Sequence, residues 1–277
     1  MTDFDDQPGA SIDLDDVEAV ARAAVLAGGS ELRDRYRDGD ATGEYRAHDV
    51  KAEADTAAES RMLPVVRRAF PDHAVFAEEA GEFDGREPYR WIVDPLDGTN
   101  NFAAGLPTFA ASVAVVRDGT PLLAAVYQPV TDELYVARRD GGVRYNGRSV
   151  SAETDVPIEA GTTVTIVGRE VPREPALADR AAGIRAELEA TAKRAIDSWA
   201  PTVHSGLFAR GRLQGLVQFH PDQEEQAVTE LFASEAGAVT RRDGPLYVAA
   251  PDEETLSTLW NTVGGTDDSS MSATGDI

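Results

Sequence analysis

Residues 91–102 read WIVDPLDGTNNF. Residues 90–93 are apolar enough for a buried strand, and that strand breaks on two acids, Asp94 and Asp97, with Pro95 between them. Burying an unpaired carboxylate costs several kcal/mol, so a fold that uses this stretch must either expose the acids or supply cations to them. That choice constrains the architecture around the strand.

The surrounding pattern places the strand in a sheet beneath helices. Leu14, Val17, Ala21, Ala24, Val25, Gly28 and Leu32 recur at helical spacing, with Asp13, Asp15 and Asp16 at the end where the dipole favours negative charge. A second helix is predicted over 54–70, with Pro64 expected to kink or end it. A short strand at 74–77 then delivers Glu78 and Glu79. SVAVV, an Asp118-Gly119 turn, LLAAVY, ELYVARR and an Asn146-Gly147 turn predict an antiparallel meander.

From about Val156 the texture changes. TVTIVG, LQGLVQF and PLYVAA read as strands, alternating with helical segments at 176–192, 223–236 and 253–263. The expectation is an α/β (α+β) protein of two lobes, 12–155 and 156–263, with the ligand site in the cleft between them. Residues 1–11 read as a loose leader and 264–277 as a disordered tail.

Charge narrows the function classes. Lys+Arg of 26 against Asp+Glu of 49 gives a net charge of -23, which repels nucleic acid and anionic membrane. Lys occurs only at 51 and 193, and the acid excess is spread along the chain. That is the surface expected under high salt, where screening removes self-repulsion, and an extremely halophilic archaeon is the expected source. It also offers a plain account of any acidic pair as solvated surface. With no cysteine and four scattered histidines, oxygen ligands for a Mg²⁺-like cation are the metal chemistry left open. MTDFDDQ lacks a secretory pattern and no apolar run reaches a membrane span, so a cytoplasmic protein is expected.

Asp94 emerges at a strand's carboxyl end, and Asp97 can turn back toward it past Pro95. With the Leu96 carbonyl they form an oxygen-rich bowl suited to divalent cations. Gly98 and Thr99 open what reads as a short helix whose amides can hold phosphate. The alternative is that Asp-Pro and Asp-Gly are turn punctuation.

VDPLDGTNNF followed by SVAVV resembles the motif of the inositol monophosphatase superfamily, the Mg²⁺-dependent phosphomonoesterases that include fructose-1,6-bisphosphatases. FPDHAVFAEEAG resembles the family's upstream segment, HDVKAEADTAAES its D-x-V-T-x-x-D segment, and VYQPVTDELYVARRDGGVRYNGRSV its hairpin. GRLQG and SEAGA match landmarks of the second lobe, so the resemblance covers about 13–263. It implies a layered α-β-α-β-α sandwich and two or three Mg²⁺. Glu78, Asp94 and the Leu96 carbonyl would hold the first ion, and Asp94, Asp97 and an acid of the second lobe the next. Phosphate would lie against Gly98 and Thr99, and a water oriented by Thr99 and Asp55 would attack phosphorus without a phosphoenzyme. Asp49 and Glu53 are read as helix or surface acids, as is Glu79. The family also implies a homodimer.

The second lobe departs from the pattern. Where the family carries W-D-x-A-A-G, this chain reads EEQAVT, with Glu224 in the Trp position and Glu225 in the Asp position. Glu225 is the expected ligand, with Asp222 as substitute. Asp222-x-x-Glu225 is equally a capping box. Where the family reads G-S-A-A-L-D, this chain reads WAPTVH from Trp199 to His204, and Ala52 stands where Thr is common. Inositol is therefore not supported as substrate. His204 is expected either to contact a ligand or to pack at a helix start, and Asp222 is the other candidate substrate contact. The resulting expectation is a phosphatase of a small phosphorylated sugar, polyol or related metabolite, the alternative being a weakened relative that only binds.

Overall fold

The computed structural model describes residues 12–40, 43–46 and 49–264. The leader at 1–11 and the tail from 265 lie outside the described residues, as do the side chains of Asp49 and Ala52. The helices are α1 (Leu14–Asp38), α2 (Glu53–Ala69), α3 (Thr99–Ala103), α4 (Pro175–Thr191), α5 (Pro201–Ala209), α6 (Gln223–Glu235) and α7 (Glu253–Thr262). The first ten strands are β1 (Gly43–Arg46), β2 (Asp49–Ala52), β3 (Ala74–Ala77), β4 (Gly81–Phe83), β5 (Tyr89–Asp97), β6 (Ala110–Arg117), β7 (Thr120–Gln128), β8 (Glu133–Arg138), β9 (Gly142–Tyr145) and β10 (Arg148–Val150). Five more follow: β11 (Thr162–Val167), β12 (Arg194–Asp197), β13 (Gly215–Phe219), β14 (Val239–Asp243) and β15 (Leu246–Ala250).

β1 and β2 form a separate hairpin. Strands β3 to β10 make an eight-stranded sheet in the order β10-β9-β8-β7-β6-β5-β3-β4, antiparallel except where β3 runs parallel to β5. The remaining five form a second sheet, β12-β11-β13-β15-β14, with β11 parallel to both neighbours.

Three apolar layers bind these sheets to the helices. Val17, Val25 and Leu32 of α1 and Met62 of α2 pack on Trp91, Val113 and Val115 on one face of the large sheet. Ile92, Ala114 and Val116 on its other face pack with Val203 and Phe208 of α5 and Leu231 and Phe232 of α6, which in turn meet Val164 and Leu216 of the small sheet. Val217, Val248 and Trp260 close a third layer with Ile184 and Leu188 of α4. The result is an α-β-α-β-α sandwich. β6 reads as a continuous apolar run because both its faces are buried.

α1 is set by its ends as well as its stripe: Asp13 Oδ1 accepts from the Asp15 amide, and Gly39 closes the helix at φ 70°. Pro64 does not end α2, which continues to Ala69. It lies on the exposed face, as does Ser60, whose carbonyl loses its helical donor, so water can satisfy that group.

Candidate active site

The site begins with a change of register in β5. Asp94 pairs with Ser112 of β6 and Asp97 with Ala110, so three steps on β5 match two on β6. In a regular strand residues three apart face opposite sides of the sheet. The extra residue of this bulge puts Asp94 and Asp97 on the same face, toward the α5–α6 layer. Both are buried, at 5% and 4% exposure.

Each acid is then held. Asp94 Oδ1 accepts from the Leu96 amide at 3.1 Å. Asp97 Oδ2 accepts three bonds from the start of α5: the Thr202 amide (3.0 Å), the Thr202 hydroxyl (2.6 Å) and the Val203 amide (3.3 Å). Ala200, at the N-cap of α5, supplies no side-chain bond, so Asp97 caps this helix from 105 residues away. Gly98 follows at φ 91°, and a Cβ there would lie 3.0 Å from the carbonyl oxygens of Thr108 and Trp199. Glycine is required on both counts. Thr99 Oγ1 lies 3.1 Å from Asp55 Oδ1 and 3.0 Å from the Leu96 carbonyl, two acceptors for one proton. Asp55 is buried in the first turn of α2.

Glu78, Asp94 and Asp97 line one cavity of about 460 Å³, together with Leu96, Gly98 and Thr99. Glu225, from α6, lines it from the opposite side. Asp55 stands behind Thr99. The other two expected contacts do not line the cavity. His204 is buried in α5 with Nδ1 2.7 Å from Ser198 Oγ and 2.9 Å from the Ala200 carbonyl, and burial lowers its pKa below 6.5, keeping it neutral. Asp222 occupies the N-cap position of α6 without making a side-chain cap bond, so the capping box is not formed. Its Oδ2 instead accepts from Arg169 Nε (2.9 Å) and the Arg169 amide (3.2 Å).

Arg169 is the feature missed by sequence reasoning. It follows Gly168, whose hydrogen occupies a space where a Cβ would fall 1.9 Å from the His220 carbonyl oxygen. From there the guanidinium meets Asp222, Glu78 (Nη1 to Oε1, 2.5 Å) and Glu224 (Nη2 to Oε1). One cation thus joins Glu78 of the large sheet's edge to two acids at the start of α6. Glu224, in the family's Trp position, is 7% exposed and engaged. Glu225 is not: its Oε2 is withdrawn from solvent without a hydrogen-bond partner.

The electrostatics follow from this distribution. Burial, then the nearby Glu78, Asp97, Glu224 and Glu225, pushes Asp94 well above the ordinary carboxylate range. Burial likewise raises Glu225 well above that range, aided by Asp222, Asp97 and Glu224. Asp97 is pushed by burial to about 7, against the lowering effect of its bonds from Thr202 and Val203. Burial raises Glu78 too, although Arg169 opposes it. Among the described residues no three acids converge as a ready metal cage. The donor set nevertheless fits a hard divalent cation. It is all oxygen, its carboxylates are short of positive charge, and one oxygen of Glu225 lacks a partner.

The profile of the inositol monophosphatase family matches residues 13–228. The chain belongs to that family. A fructose-1,6-bisphosphatase/inositol-1-monophosphatase of Aquifex aeolicus is 37% identical over 142 residues, 48% of this chain and 52% of that protein. A Nus factor SuhB of Pasteurella multocida is 34% identical over 151 residues, 54% and 55% of the two chains. These sequence matches span about half the length of the curated relatives. The fold match is wider: an inositol monophosphatase structure from Anabaena (Nostoc) sp. superposes with a TM-score of 0.77 at 22% identity, covering 92% of this chain and 98% of the other.

Proposed function

We propose that this family member is a Mg²⁺-dependent phosphomonoesterase acting on a small phosphorylated metabolite. The observation that carries the reading is the convergence of Asp94, Asp97 and Glu225 on one cavity as buried, under-compensated carboxylates beside Thr99 and Asp55. Glu78, Asp94, the Leu96 carbonyl, Asp97 and Glu225 would hold the cations. When bound, divalent cations supply neutralisation of phosphate charge and acidification of a coordinated water.

The remaining steps belong to the chain. Gly98 and Thr99 seat the phosphate on the cavity floor. Thr99 Oγ1 orients the attacking water and passes its proton toward Asp55, to which it is already hydrogen bonded. α5 holds Asp97 by its carboxylate Oδ2 and so keeps the floor fixed. For Glu78 to act as a ligand, its Oε1 must exchange Arg169 for the cation.

The test is release of inorganic phosphate in molar KCl with Mg²⁺ from a panel of inositol phosphate, fructose-1,6-bisphosphate, sugar phosphates and nucleotides. Activity abolished by Asp97→Asn supports the reading. No turnover of any substrate, with no change in ligand binding on that substitution, refutes it. A second reading, a binding protein without catalysis, draws on Arg169 engaging Glu78 and on relatives named as a Nus factor. It predicts cation binding without phosphate release. The net charge of -23 opposes a polyanionic partner in either case and supports a high-salt setting.

A further inference from the structure

The cavity has a second half that the phosphatase reading leaves unused. Ala178, Ala181, Ala182 and Arg185 recur at helical spacing on α4 and face it together, joined by Val171 and Pro172. At its mouth stands Trp199, 53% exposed, while the other two tryptophans, Trp91 and Trp260, are at 0% and 2%. A large aromatic exposed at the rim of a ligand-sized cavity is a recognition surface in search of a flat partner. The position is well defined, since the Trp199 carbonyl lies 3.5 Å from Asn101 Nδ2 and packs over Gly98. Opposite the acids, the polar groups of this half are few: Ser198, and Arg185 held by Asp197 at 2.7 Å with its Nε lacking a partner.

This wall is wrong for a polyol. A ring bearing hydroxyls on every edge would turn several of them onto alanine, valine and proline, where they lose water without gaining a partner. A planar heterocycle loses little there. Its faces bury against the α4 alanines and the indole.

Resting on the phosphatase reading for the phosphate end, we infer that the alcohol released by this enzyme carries a flat aromatic base, as in a nucleotide, and that Trp199 is the residue that selects it. The chemistry is simple hydrolysis. Water oxygen bonds to phosphorus, the ester P–O bond breaks, and the departing oxygen takes a proton to become the nucleoside hydroxyl.

AMP and ribose 5-phosphate test this cleanly, because they share the same phosphoester and differ in the base. We expect kcat/KM for AMP to exceed that for ribose 5-phosphate by about tenfold or more, the effect of one base–aromatic stack, and the ratio to collapse toward one in Trp199→Ala while Trp199→Phe retains part of it. Equal use of the two esters, a preference for ribose 5-phosphate, or a ratio unmoved by Trp199→Ala overturns the inference. If neither ester is hydrolysed, the phosphatase reading is decided by its own substrate panel, and binding decides the base inference. With Trp91 and Trp260 buried, quenching of tryptophan fluorescence reports Trp199. Quenching by AMP and not by ribose 5-phosphate, lost in Trp199→Ala, supports a stacked base; equal or absent quenching refutes it.

Discussion

Replacing Asp97 by Asn separates the energetic cost of this site from its use. Asp97 has an ordinary pKa of 3.8 and is raised to about 7 in the fold. Between those values the folded state binds more protons than the unfolded one, so stability falls as pH rises through this window. Linkage puts the cost of ionising this carboxylate at about 2 kcal/mol at pH 5 and about 4 kcal/mol at pH 8. The Asp97→Asn side chain carries no such cost. Its carbonyl oxygen can still accept the bonds now made by the Thr202 and Val203 amides and the Thr202 hydroxyl. In chelator, the variant should therefore gain on the parent by about 2–3 kcal/mol between pH 5 and pH 8. Adding Mg²⁺ should reverse the order, stabilising the parent and leaving the variant nearly unchanged. Urea unfolding at the two pH values, with and without Mg²⁺ at constant ionic strength, reads all four states. A variant less stable than the parent at pH 8 in chelator, or one that gains as much from Mg²⁺, refutes the account of Asp97 as an under-compensated ligand.

Thr202→Val removes a charge-assisted bond to Asp97 and should cost about 1.5–3 kcal/mol at pH 8, and less at pH 5 where Asp97 is protonated, by the same unfolding measurement. Arg169→Gln frees Glu78 and should lower the Mg²⁺ concentration at the midpoint of a thermal-shift titration; a higher midpoint would show that Arg169 supports the cation site. Gly98→Ala puts a Cβ against two carbonyl oxygens at a positive φ, and a loss of about 1–3 kcal/mol with disrupted phosphate release is expected from calorimetry and assay. Glu225→Asp should retain activity that Glu225→Ala loses; equal losses would place Glu225 outside the cation site.

Elements with one wet face were legible in the sequence. α1 shows its stripe and its N-terminal acids, because burial on one side leaves a period, whereas the meander, whose central strands are buried on both faces, shows only its turns. α5 was legible only as a departure from the family pattern. Eight of its nine residues are buried, so it has no polar face to mark it as a helix. The consequence was that Thr202 went unread while His204, its more conspicuous neighbour, was weighed as a contact. The bulge in β5 was invisible for a related reason: the sequence shows Asp94 and Asp97 three apart, and only pairing with β6 reveals that they face one way. The grouping of acids around Arg169 depends on residues 53 to 91 positions away, which no local pattern encodes. Glu225 was reached through family register; in the structure one of its oxygens lacks a partner, whereas Asp222 is engaged by Arg169.

α5 lies inside the layer shared by both sheets and is tied to Asp97 at its first turn. Prising Asp97 from that helix would mean opening the interior of the molecule. On the proposed reading the chemistry stands on bedrock, while Trp199, the residue proposed for recognition, lies on the shoreline, 53% exposed and outside both sheets. A lineage can exchange shoreline residues and acquire new substrates without renegotiating how the chain folds. The departure from family pattern at 199 falls where such freedom exists, and the unbroken DPLDGT falls where it does not.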